Sequence, residues 1–219
     1  MSLAVTVRWV AVALAAPLAL HAEIIDRIAV SVGSRVITES ALDREIRVTA
    51  FQNRVAPDFS PANKRATAGR MVEQMLIRQE LDTSRYPAPT EADIEPAYQA
   101  FKKTNFQSDQ QFQQALADAG ITEQDLKDEM LWQSTLLQFI EVRFRPGVQV
   151  SDEEIQDYFD RIVKPEAAKA HPNEPVALED YRDDIEEKLA GQRVDEQMDN
   201  WLKEAKKRTE IVYHDEAFQ

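Results

Sequence analysis

Residues 23–42 read EIIDRIAVSVGSRVITESAL, and this stretch decides the fold because it is the clearest strand text in an otherwise helical sequence. Ile28, Val30 and Val32 alternate with Arg27, Ala29 and Ser31, the period of a half-buried strand. Gly33-Ser34 offers a two-residue hairpin turn of type II′, with glycine supplying the positive φ. Val36-Ile37 resumes the apolar run, and Thr38 or Ser40 can cap a helix that starts at once. An isolated hairpin is marginal in water, so a remote part of the chain must cover this one.

The segment in front of the hairpin sets the compartment. Residues 1–22 hold one basic residue, Arg8, then an apolar run from Trp9 to Leu20, and they end on Leu20-His21-Ala22. This pattern predicts a secretory signal peptide cut after Ala22, and hence a periplasmic protein. A retained membrane anchor is the alternative, but the run is too short for ~30 Å of hydrocarbon and Pro17 interrupts it. No stable membrane insertion is expected once the signal is removed. There is no cysteine, which excludes disulfides, lipid attachment at cysteine and thiol catalysis.

Removing residues 1–22 takes away one positive charge and no negative one, so the formal charge moves from −13 to −14. Such an acidic chain is a poor partner for nucleic acid and for anionic membrane surfaces. Its hydrophobic content of 43% supports a packed core.

The body of the chain carries repeated helix-start signals. Ser40 leads into Leu42, Ile46 and Val48, and the helix reaches Phe51. Ser60-Pro61 places proline at its favoured first position, ahead of Met71, Met75, Leu76 and Ile77. Thr90 with Asp93 resembles a capping box, although Pro96 should disturb the first turn that follows. Ser108 opens a short helix ending at Gly120, Thr122 opens a long one closing near Pro146-Gly147, and Ser151 opens one more. Acidic residues at these starts resemble a metal or acid/base cluster, but complementarity to helix N-termini is the favoured reading.

Residues 164–175, KPEAAKAHPNEP, hold three prolines and predict a linker. A long amphipathic helix is expected over 176–208, with a bend at Gly191, followed by strand text at Ile211-Val212-Tyr213. That strand is the natural partner of the hairpin, so deleting 209–219 should destabilise both ends of the fold. The expected fold class is mainly α with a small β-sheet. The expected organisation is a signal peptide over 1–22, an N-terminal domain over 23–150, a short helix and linker over 151–175, and a long helix and strand over 176–219 packing back on the N-terminal domain.

Reactive chemistry is absent from the sequence pattern. The five glycines are too far apart for a phosphate loop, and there is no Gly-x-Ser-x-Gly elbow. His21, His171 and His214 form no metal-ligating pair, and His214-Asp215-Glu216 reads as a solvated tail. The acidic run over 179–187 reads as a solvated helix face. The chain is expected not to be an enzyme and to need no cofactor and no metal.

Several passages together resemble the SurA family of periplasmic chaperones. They are DRIAVSVGSRVITESALD, RMVEQMLIRQEL, TEADIEPAYQAFKK, FQQALADAGITEQDLKDEMLWQSTLLQFIEVRF, VSDEEIQDYF and LEDYRDDIEEKLAGQRVDEQMDNWLKEAKKRTEIVY. They cover nearly all of the chain after the signal, in family order. The resemblance implies a multi-helix peptide-binding core of the SurA/trigger-factor type, closed by the N-terminal hairpin and the C-terminal strand. It implies ATP-independent binding of unfolded polypeptides, chiefly outer-membrane protein precursors. Relatives commonly carry parvulin-type prolyl isomerase domains where 164–175 stands here, and twelve residues cannot hold a domain of ~50 residues. The isomerase is therefore expected to be absent.

Deformable or broad apolar side chains suit a client surface. The candidates are Met71, Met75, Phe101, Phe106, Phe112, Trp132 and Phe139, of which Phe106 and Phe112 flank a polar connection. Dependence of the terminal helix and strand on remote partners would also permit a homo-oligomer formed by domain swapping. The alternative function is a helical structural or adaptor protein of the cell envelope that docks one folded partner.

Overall fold

The computed structural model describes residues 26–84, 86–170 and 175–219. The expected signal peptide and its cleavage point lie outside the described residues. The fold is mainly helical with one small three-stranded antiparallel sheet. Strands β1 (Ile28–Val32) and β2 (Arg35–Thr38) form the hairpin, and β3 (Ile211–Tyr213) lies on the other side of β1. The positive φ of the turn, +57°, falls on Gly33 and not on Ser34, as a II′ turn requires. Val30 pairs with both Ile37 and Tyr213, and Val32 pairs with Arg35 and Ile211.

The two ends of the described chain thus meet in one sheet. Gly33 N donates to Glu210 O at 2.8 Å and His214 N donates to Ala29 O at 2.9 Å, extending the ladder beyond β3. Ser31 Oγ and His214 Nε2 are hydrogen-bonded at 3.0 Å. Beyond the strand, Ala217 and Phe218 are buried under the sheet, with the Arg65 guanidinium 4.9 Å from the Phe218 ring and paired to Asp215 at 2.7 Å.

Helices α1 (Glu39–Asn53), α2 (Pro61–Thr83), α3 (Glu91–Asn105), α4 (Asp109–Ala119) and α5 (Glu123–Arg143) follow the hairpin. Their caps are those the sequence predicts at Ser60, Ser108 and Thr122. At α1 the capping hydroxyl is Thr38, which accepts from Ala41 N at 3.3 Å. Ser40 instead lies inside the first turn and donates to Asp26, whose carboxyl it holds below the ordinary range.

Helix α3 continues through Pro96. The proline is on the exposed side, opposite buried Ile94 and Tyr98, so water can take the Ala92 carbonyl that its missing N–H leaves free.

The region expected to be a linker is partly helical. Helix α6 (Asp152–Tyr158) passes through a π-helical turn at Phe159–Val163 into α7 (Lys164–Ala170). Alanine, lysine and glutamate favour helix there, and Pro165 sits at the second position of α7. The last helix, α8 (Arg182–Arg208), begins later than expected, after a 3₁₀ turn at Leu178–Asp180. Val176, Leu178 and Tyr181 are held against α6 instead, and α8 continues unbroken through Gly191.

Among the described residues the core has four clusters. The first joins the inner sheet face to α1, α2 and Phe218. The second joins α1, α3, α4 and the start of α5, and the third joins α2, the rest of α5 and α8. The fourth joins α6 to the start of α8. Helix α1 serves two of them. At ~100° per residue, Leu42 and Ile46 point one way and Val48 and Phe51 the other. No described helix is long and apolar enough to cross a membrane.

Candidate functional site

The aromatic residues near the polar connection between α3 and α4 come together around one that the sequence did not single out. Phe51, at the end of α1, has its ring centroid 6.0 Å from Phe101, 5.9 Å from Phe106 and 6.4 Å from Phe112. Phe106 and Phe112 are themselves 5.2 Å apart in an edge-to-face arrangement. Phe112 is fully buried, whereas Phe51, Phe101 and Phe106 are only partly covered.

A concave surface lies on each side of this cluster. On the α3–α4 side a pocket of about 230 Å³ is bounded by Lys102, Lys103, Phe106 and Phe112. On the α1 side a groove of about 460 Å³ has Ala50, Phe51, Val55, Pro57 and Ala119 along it, with Arg47 and Asp118 at its rim.

The connection between α1 and α2 builds this second groove. Val55 is 62% exposed and Phe59 37% exposed, with the Arg47 guanidinium 5.6 Å from the Phe59 ring. Arg54 ends α1 in the left-handed region at φ +59°, unusual for a residue with a side chain. Its guanidinium lies 5.0 Å from the Phe106 ring and donates to Asn105 O at 3.3 Å. The strained backbone therefore brings a cation over the partly covered ring. Val55, Pro57 and Phe59 form an apolar loop between two helix caps, which is the signal in the sequence that would have pointed to them.

The remaining candidates are elsewhere. Met75 packs partly buried against the first cluster. Trp132 and Phe139 are closed inside the third cluster, with Arg78 over Trp132 at 4.1 Å and Phe139 in contact with Tyr86, Phe144 and Trp201. Trp132 and Phe139 offer no surface in this conformation, and Phe112, also buried, only backs the α3–α4 pocket. Met71 lines a separate, charged cleft of about 210 Å³ between α1, α2 and α5, together with Glu45, Arg78 and Glu129.

Chemically, the groove beside Phe51 is an apolar trough with one positive and one negative group at its edge. It can accept an aliphatic or aromatic side chain without imposing a hydrogen-bond pattern. Among the described residues no group of three or more histidine, aspartate or glutamate side chains is disposed to hold a metal ion. No protein-family model matches the chain, and a search of curated proteins finds no match.

Proposed function

We propose that this chain is an exported, periplasmic, ATP-independent chaperone that holds unfolded polypeptides, with outer-membrane protein precursors as its clients. The observation that carries the reading is the open apolar groove beside the four-phenylalanine cluster, with Val55 exposed on its wall. The closure of the helical core by β1 and β3, in the arrangement that the resemblance to the SurA family implies, supports it further.

Magnitudes fit a holdase. Burying one large apolar side chain contributes ~1.5–3 kcal/mol, which alone is weaker than millimolar binding. Several such contacts along an extended client would combine into useful affinity, and each would release without an energy source. No catalytic step belongs to this proposal, and neither does a prolyl isomerase activity.

The test is aggregation of an unfolded β-barrel protein with residues 23–219 in modest excess. Delay is expected, and Val55→Asp should weaken it while leaving the fold intact because the residue is exposed. Failure of the unmodified protein to delay aggregation would remove the main support for the reading.

A second reading, an envelope adaptor that docks one folded partner, is favoured by α7, which follows the π-helical turn and has no buried residue. Saturable one-to-one binding to a folded envelope protein, with no effect on aggregation, would select it.

A further inference from the structure

The charged cleft contains two partly buried carboxylates, Glu45 and Glu129, held by neutral amides. Several partly covered carboxylates have cations: Asp125 with Arg44 at 3.6 Å, Glu80 with Arg143 at 3.1 Å, and Glu39 with Lys64 at 3.5 Å, while Asp43 of α1 keeps one buried oxygen without a hydrogen-bond partner. Glu45 of α1 and Glu129 of α5 have none within 4.0 Å among the described residues. Glu45 accepts from the Gln74 amide at 3.4 Å, and Glu129 from the Gln133 amide at 2.8 Å. Gln133 also donates to the Gln52 side chain at 3.0 Å, which fixes it between α1 and α5.

A neutral amide donor serves a protonated carboxyl as well as an ionised one, because either form keeps an acceptor oxygen. Arg70 and Arg78 of α2 attract both carboxylates from a distance but form no ion pair with either. Arg78 lies over Trp132, and Arg70 donates to the Thr67 hydroxyl at 2.8 Å. Asp82 of α2 is paired with Arg35, and Asp128 of α5 accepts from Gln124.

We propose that the seam between α1 and α5 is a proton-operated latch. One proton taken up between Glu45 and Glu129 tightens the seam, and its loss loosens α5 against α1 and α2. Burial, and after it the charge of Glu45, raise the Glu129 carboxyl from an ordinary 4.5 to about 7; burial raises Glu45 as well.

The native protein thus binds this proton more tightly than the unfolded chain. The penalty for ionising Glu129 is absent below about pH 4.5 and complete above about pH 7, so stability falls as pH rises through that window. Helix α5 carries Leu126 into the second cluster and Phe139 into the third. The latch therefore acts on how firmly two parts of the core are joined, whatever the cleft or groove binds.

Thermal unfolding of the unmodified chain and of Glu129→Gln, compared between about pH 5.5 and about pH 8 at fixed ionic strength, tests this. The unmodified protein should melt lower at the higher pH. Glu129→Gln should lose most of that drop and melt above the unmodified protein at about pH 8. A carbon NMR titration should place the Glu129 midpoint near 7, moving downward in Glu45→Gln. An equal drop in the two proteins, or a Glu129 midpoint at an ordinary glutamate value, would overturn the latch.

Discussion

Gly33 and Arg54 both hold positive φ, at +57° and +59°, for opposite reasons. At Gly33 the backbone is what matters. A Cβ there would meet Thr209 Cγ2 at 3.7 Å, an ordinary contact, so substitution is opposed by the left-handed conformation and not by crowding. Gly33→Val should lower stability by about 1–2 kcal/mol in denaturant titration, more than any clash would explain. At Arg54 the side chain is what matters, because its guanidinium lies over Phe106. Arg54→Gly relieves the backbone and gives up a cation–π contact of similar size, so stability should stay within about 1 kcal/mol of the parent. Arg54→Ala keeps the strain without the cation and should be the less stable of the two variants by about 1 kcal/mol. Both should uncover Phe106 and raise the fluorescence of an apolar dye, and a dye response no greater than the parent's would remove Phe106 from the accessible surface.

At the level of elements, the caps and strands were legible because each rests on local chemistry. Hydroxyls of Ser60, Ser108 and Thr122 mark helix starts, and alternation marks β1. Elements governed by tertiary packing were not. Residues 176–181 have helical spacing, but Leu178 and Tyr181 are pulled onto Ile155 and Phe159, which delays α8 until Arg182. The prolines of 164–175 hid α7, since Pro165 falls early in a helix, where proline is tolerated. The candidate surface was half legible. Aromatic composition pointed to Phe106 and Phe112, yet the ring that packs beside both, Phe51, is contributed from more than fifty residues upstream and no local pattern signals it. Phe51→Ala should cost about 3 kcal/mol, and the loss should show in probes of α3 and α4 as much as of α1. The C-terminal strand permits a similar test. Phe218→Ala, a core truncation, should cost about 3–5 kcal/mol and speed amide exchange in β1 and β2. Unchanged exchange in the hairpin would mean that β3 and its tail are not its cover.

Across the whole molecule the four clusters are not equally tied together. Helices α1, α2 and α5 each enter two of the first three clusters, whereas the fourth is joined to the rest through α8. Native-state hydrogen exchange should therefore find residues 152–170 opening at a lower free energy than α1, α2 and α5, as a separate cooperative unit. Equal protection across all helices would contradict that division. The sheet has a different consequence, concerning time. Val32 cannot meet Ile211 until almost every intervening residue exists, yet the hairpin to which Val32 belongs comes early in the chain. Closing so long a loop adds only slowly to the entropic barrier, by about 0.6 kcal/mol per doubling of length. What it imposes is an order of events. During vectorial synthesis the hairpin must wait with one edge of β1 unpaired until Ile211–Tyr213 have emerged to complete its sheet.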